Sequence, residues 1–223
     1  MELQEYAQTI LWGTSLEEKL VVPTKLLDSP SAVPLTSMEC PGRPRGLEME
    51  PPGGKRAKFP AIGALEDPKA RGRALHFFAN HELLALELMA LALLKFPSAD
   101  SRWRRTIFAT MRDEQKHLKL YLHRMKELGV EWGEIPLNRF FWDHISSMNS
   151  PEDFAIRMSL TFEQANLDFS LVYRDAFRDV GDAISADVMH HVLEDEIRHV
   201  RHGVEAIQAS KPVDRTLWEV YAE

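Results

Sequence analysis

The chain has 223 residues, 44% of them hydrophobic, and a formal net charge of −7. That suits one compact domain plus an extension and argues against a general nucleic-acid binder. A single cysteine, Cys40, excludes an internal disulfide and fits a reducing cytoplasm.

The N-terminal MELQEYAQTI carries acids where a secretory leader needs lysine or arginine. Residues 3–12 and 15–27 read as two short helices, the second opened by a Ser15/Glu18 capping box. Residues 29–66 change character. Pro30, Pro34, Pro41, Pro44, Pro51, Pro52 and Pro60 fall here with Gly53-Gly54, so this stretch is a flexible linker or an ordered strap, not regular helix. The expected division is residues 1–66 as short helices and strap packing on the rest, 67–210 as the main helical unit, and 211–223 as a terminal helix.

Four long helices follow. The first runs from Asp67-Pro68 to about 96, where Pro97 ends it. Its most apolar run, LLALELMALALLKF at 83–96, is short for a bilayer and contains Glu87, so no membrane span is expected. The second starts at Ser98 and stops near Gly129. Ser150-Pro151-Glu152 opens the third, which runs to about Gly181. Asp182 opens the fourth, which ends before Lys211-Pro212, and 213–222 reads as a last short helix. Between the second and third lie Trp132, Phe140, Phe141 and Trp142, too many large aromatics for a solvated linker. That connection reaches roughly 70 Å extended, and a 28-residue helix is roughly 42 Å long, so it can cross the bundle. The expected fold is all-α, a four-helix bundle with one long crossover, the arrangement of ferritin-like folds.

The second helix of each hairpin carries one E-x-x-H: Glu114-Gln-Lys-His117 and Glu196-Ile-Arg-His199. Residues three apart share a helix face. Reflecting Glu114 through the first turn lands on Glu82, and reflecting Glu196 through the second lands near Glu163. The spacings agree: 32 residues from Glu82 to Glu114 and 33 from Glu163 to Glu196. The hairpins behave as pseudo-repeats, and all six groups are expected at one level inside the bundle. Four buried carboxylates need counter-charge. Two divalent cations with two neutral imidazoles balance them, and oxygen-rich donors suit iron or manganese. By that logic Glu114 and Glu196 bridge, Glu82 and Glu163 are terminal, and each histidine binds one metal. Asp113 and Asp195 precede the E-x-x-H pairs and are candidates to orient the histidine of the opposite hairpin.

The D-E-x-R-H motif on the fourth helix resembles that of the ferritin-like di-iron superfamily, which includes bacterial multicomponent monooxygenases. MELQEYAQTILWGTSLEEKL, PGRP at 41–44, HELLALELMA, DEQKHLKLYLHRMKELG and DEIRHVRHG together are similar to an uncharacterised bacterial ferritin-like family, a domain of unknown function. The resemblance covers nearly the whole chain. It implies the fold and the metal ligands but no substrate, and the Gln115-Lys116 pair departs from the usual arginine-bearing motif.

His81, Glu87, Tyr121 and His202 are further candidates near the site, with ordinary core or surface roles as the competing reading. The functional expectation is an O₂-activating oxidase or hydroxylase with two iron ions, or manganese or a mixed pair. It would act on a small molecule and draw electrons from an external donor, with a homodimer as one assembly open to it. A basic stretch (Arg43, Arg45, Lys55, Arg56, Lys58, Lys69, Arg71 and Arg73, with Arg102, Arg104 and Arg105) motivates a tRNA-modifying hydroxylase as an alternative, although a solvated surface accounts for it equally simply. Iron binding or detoxification without catalysis is the third reading.

Overall fold

The computed structural model describes residues 1–29, 34–53 and 57–222. Pro30, Gly54, Lys55 and Arg56 lie outside the described residues. Among the described residues there is no β-strand. The helices are α1 (Leu3–Trp12), α2 (Leu16–Lys19), α3 (Pro68–Lys95), α4 (Ser101–Glu127), α5 (Phe140–Ile145), α6 (Pro151–Arg157), α7 (Gln164–Asp179), α8 (Ala183–Ser210) and α9 (Leu217–Tyr221). A π-helical turn, Met158–Glu163, joins α6 to α7.

Short polar side chains set the helix starts. Asp67 accepts from the Lys69 N–H at 3.0 Å ahead of Pro68, and Asp100 accepts from the Arg102 and Trp103 N–H groups. Ser150 and Asp182 do the same for α6 and α8. Each side chain satisfies a donor that a helix N-terminus leaves free. The Asp100 cap places the start of α4 three residues later than the Ser98 reading.

Two further expectations are corrected. The helix expected over 15–27 ends at Lys19. Pro23 lacks a donor and disfavours helical geometry at Val22. The chain instead returns along α1, where the Leu3 N–H donates to the Leu27 carbonyl and the Leu27 N–H to that of Met1, at 2.8 and 3.0 Å. The final helix is also shorter than 213–222, beginning at Leu217 after its Thr216 cap.

α3 pairs with α4, and α6, the π turn and α7 pair with α8; α4 meets α8 between the two hairpins. α3 is apolar on every side, and 22 of its 28 residues are buried. By length and composition it could cross a membrane, but 94% of its most apolar window is covered by the rest of the protein. A helix hydrophobic all round needs cover on every face. α4 supplies one side, and α1, α5 and the 34–53 segment supply others. In that segment the Leu35 N–H donates to the Leu94 carbonyl at 2.9 Å, and the Trp142 indole donates to the Glu39 carbonyl at 2.8 Å. Gly42 is required by closeness: a Cβ there would lie 2.3 Å from the Trp12 carbonyl oxygen.

A buried ion cluster ties this cover to α3. Two N–H groups of Arg43 donate to Glu87 through three contacts, the shortest at 2.7 Å, and Glu87 faces the Lys19 ammonium at 2.9 Å. Lys19 and Glu87 are fully buried. The Lys19 ammonium also donates to the Ile10 carbonyl near the end of α1, at 2.6 Å. Glu87 is therefore held by cations from the N-terminal region, in keeping with the ordinary core role weighed against a place near the site.

The basic stretch is partly consumed in the same way. Arg71 pairs with Asp182 at 2.8 Å, and Arg104 pairs with Asp28 at 2.9 Å. With Arg43, three of its guanidiniums serve the interior.

Candidate metal centre

Glu82 comes from α3, Glu114 and His117 from α4, Glu163 from the end of the π turn, and Glu196 and His199 from α8. All six are buried, none more than 5% exposed. Their donor atoms form two overlapping groups. Glu82, Glu114, His117 and Glu196 make one; Glu114, Glu163, Glu196 and His199 make the other. Within each group the atoms lie within 4.8 Å of one another. Glu114 and Glu196 belong to both. Glu114 spans the pair visibly: one oxygen is 3.4 Å from His117 Nδ1 and the other 3.3 Å from His199 Nδ1.

Each imidazole turns its Nδ1 to the centre and its Nε2 away. His117 Nε2 lies 3.0 Å from Asp195, and His199 Nε2 lies 3.2 Å from Asp113. Each aspartate thus reaches the histidine of the opposite hairpin. Arg198 contacts both aspartates, at 3.0 Å to Asp113 and 2.8 Å to Asp195. Lys116, at the motif's variant position, approaches Asp195 at 3.4 Å. Gln115 faces elsewhere: its amide donates to the carbonyls of Lys19 and Val21 at 2.9 and 3.0 Å, pinning the N-terminal cover to α4.

The fit to cations can be judged from unsatisfied atoms. Glu82 Oε1, both oxygens of Glu114 and of Glu163, Glu196 Oε2, and Nδ1 of His117 and of His199 are buried without a hydrogen-bond partner. Buried polar atoms are ordinarily paired, so a cluster of orphans of one chemical character implies a missing partner. All are acceptors once the imidazoles are neutral, and cations satisfy acceptors. The residues could form a metal site.

Without cations, protons provide the compensation. Burial pushes the Glu82 carboxyl well up, and the neighbouring Glu114 charge adds to it. Burial raises Glu163 to about 8. Burial disfavours imidazolium, but Asp195, Glu114 and Glu82 outweigh it at His117, and Asp113, Glu114 and Glu196 do so at His199, so both histidines titrate well above their usual range. Burial likewise works against ionised Glu114, yet its contacts to Glu82, His117 and His199 hold it below the carboxylate range.

Asp195 is held low first by His117 and is 8% exposed, against 28% for Asp113. Replacing Asp195 by asparagine should weaken metal binding roughly 10- to 100-fold, and Asp113→Asn should weaken it less. Titration against a competing chelator measures both; equal affinities for wild type and Asp195→Asn would show that the contact does not orient His117.

The remaining candidates separate. Tyr121 is fully buried with its hydroxyl 3.7 Å from Met189 Sδ, in neither donor group. Burial, then Glu82, Glu196 and Glu114, push its phenol well up. His81 stacks on Phe141 at 4.7 Å and is pushed down to about 4 by burial, so it is neutral, and it too belongs to neither group. His202, one turn after His199, lines a cavity of about 800 Å³ that also reaches Glu163 and His199.

Sequence spacing missed the π turn. MSLTFE reads as ordinary helix, and the third helix was expected to run unbroken. Thr161 Oγ1 instead bonds the Ile156 carbonyl, five residues back, at 2.9 Å. Such turns recur at functional sites. Here the turn ends on Glu163, and α8 approaches it through Gly203, where a Cβ would lie 2.3 Å from Ser159 Cβ.

The sequence model of the family described as "Protein of unknown function (DUF455)" matches residues 6–223. The chain belongs to the DUF455 family. No curated protein and no solved structure matches it. The match spans nearly the whole DUF455 chain, including the N-terminal cover and both hairpins of the donor cluster.

Proposed function

We propose that this DUF455 protein is a ferritin-like di-metal carboxylate oxidoreductase. One observation carries the reading: two four-residue donor groups share Glu114 and Glu196, with their unpartnered acceptor atoms buried together. Glu82 and His117 would complete one cation position, and Glu163 and His199 the other. Two hairpins, each giving one carboxylate and one E-x-x-H, form the ligand pattern of di-iron and di-manganese bundles.

Held by these six residues, an iron or manganese pair would supply redox chemistry for O₂ activation, with its electrons replenished from outside the chain. Hydroxylation balances as C–H plus O₂, two electrons and two protons, giving C–OH and water. The electrons come from an external donor, since the sequence has no Cys-x-x-Cys. The chain's own part is positional. Asp113 and Asp195 fix the imidazole orientation, and the surrounding core excludes bulk water. The tRNA alternative has less basic surface to draw on, since Arg43, Arg71 and Arg104 are drawn into internal pairs.

Elemental analysis of untagged protein, reconstituted anaerobically with iron(II) or manganese(II), tests the reading. About two metals per chain and O₂ consumption by the reduced form are expected. A well-folded chain that takes up neither metal overturns it.

Proton competition gives a pH signature. Divalent ions must displace protons from His117, His199, Glu82 and Glu163, so loading should tighten as pH rises from about 6 to 8 and release protons into a weakly buffered solution. The metal-free chain should behave oppositely. Groups whose folded pKa is raised contribute stability that is full below the unfolded value and lost as pH rises through the folded one. Its melting temperature should therefore fall between about pH 6 and 9, while the loaded protein holds. A metal-free melting temperature that climbs through this window would contradict the protonation pattern.

A further inference from the structure

The cavity of about 800 Å³ touches one end of the donor cluster only. It reaches Glu163 and His199, and neither Glu82 nor His117 lines it. The volume is in the range of small-molecule pockets. Its inner wall is apolar, with Met89, Trp103, Ile107, Phe154 and Ala155. Asp100, Arg102, Glu152 and Glu205 are the charged residues at its rim. Arg102 is 3.5 Å from Glu205, and Asp100 caps α4. Among the described lining residues no lysine is present, and Arg102 is the sole arginine. An anionic group brought against the apolar wall, away from the Glu163–His199 end, would lose water and meet only Arg102, which already faces Glu205, a costly exchange.

Besides the donor-cluster atoms of Glu163 and His199, one more polar group on the wall lacks a partner. His202 Nδ1 is buried with no hydrogen bond. Burial, then the neighbouring His199, push this imidazole below its usual range, so it is neutral. A neutral imidazole has one donor and one acceptor nitrogen. A hydroxyl can donate or accept, so it matches either tautomer.

We propose that this cavity is the substrate pocket and takes a neutral, mainly apolar molecule with a hydroxyl or similar hydrogen-bonding group, which His202 positions beside the Glu163–His199 end of the centre. The assignment as substrate pocket rests on the di-metal reading above; the ligand class rests on the cavity alone.

The probes are 1-octanol and octanoate, followed by calorimetry on the full chain, both metal-free and iron(II)-loaded under anaerobic conditions. Saturable binding of one octanol per chain is expected, with octanoate roughly tenfold weaker or worse. Ala206→Trp and Thr106→Trp fill the cavity from opposite walls, and either should abolish octanol binding while circular dichroism stays native. His202→Leu should weaken octanol several-fold, roughly the value of one hydrogen bond, and His202→Asn, which keeps a polar atom near the Nδ1 position, should recover most of it. Octanoate binding as well as octanol, or octanol unaffected in both folded tryptophan variants, would overturn the proposal. Octanol binding in a chain that never takes up metal would leave the ligand class standing and remove the di-metal reading; two metals per chain without octanol binding would do the reverse.

Discussion

Replacing Glu114 and Glu196 together by alanine should abolish metal uptake, whereas Glu82→Ala and Glu163→Ala should each remove about one of the two ions proposed. The expected asymmetry comes from sharing. Glu114 and Glu196 belong to both donor groups, but Glu82 and Glu163 serve one each. Losing both shared carboxylates leaves each position with one carboxylate and one imidazole, too few ligands and too little charge for a divalent ion. Losing a terminal glutamate spares the other position. Elemental analysis and O₂ consumption on the four proteins read this directly. Activity should vanish in all three variants if the reaction needs both ions. The double variant should also stay folded, because it removes two buried carboxylates that need compensation. Full metal content in the double variant would show that the donor cluster is not the metal site. Identical losses in all three variants would reject the bridging roles and leave the ligand set intact.

Glu87→Leu should be the most destabilising single change in the interior. It strands the Lys19 ammonium and Arg43 guanidinium without their shared counter-charge, and both lie inside the protein. Breaking a buried pair by removing one partner costs about 3–5 kcal/mol, or on the order of 10 °C in melting temperature for a chain of this size. Lys19→Met should cost less. It leaves Arg43 and Glu87 as a neutral, doubly bonded pair, and the loss is chiefly the ammonium's bond to the Ile10 carbonyl. Metal stoichiometry should be normal in Glu87→Leu below its melting temperature. Thermal denaturation ranks the two variants. A Glu87→Leu protein as stable as wild type would mean that the cluster contributes no net stability; a Glu87→Leu protein lacking one metal would return Glu87 to the donor set.

The helices and the six residues were legible in the chain because both depend on short-range regularities. Caps such as Asp67-Pro68 and Ser150-Pro151 act within one turn. The i, i+3 spacing of Glu114–His117 and Glu196–His199 places each pair on one face whatever the surroundings. The near-equal hairpin spacings then put Glu82 and Glu163 at the same level, and those six residues are the six that the two donor groups contain. Only the tertiary structure decided the fate of Glu87. Five residues after Glu82 it looks like a spare carboxylate, but its partners, Lys19 and Arg43, are 68 and 44 positions away, and no periodicity links them. Tertiary contact also bears on the length of α2, because Leu27 satisfies its backbone groups against Met1 and Leu3, and the Val21 carbonyl accepts from Gln115 on α4, rather than within a helix. The π turn and the cavity belong to the same class. A one-residue shift in the hydrogen-bond ladder at MSLTFE, and the close approach of Gly203 to Ser159, follow from how α8 packs against that turn. Local sequence chose which groups carry the chemistry. Packing chose which end of the cluster a small molecule can reach, because access is a property of the space between helices.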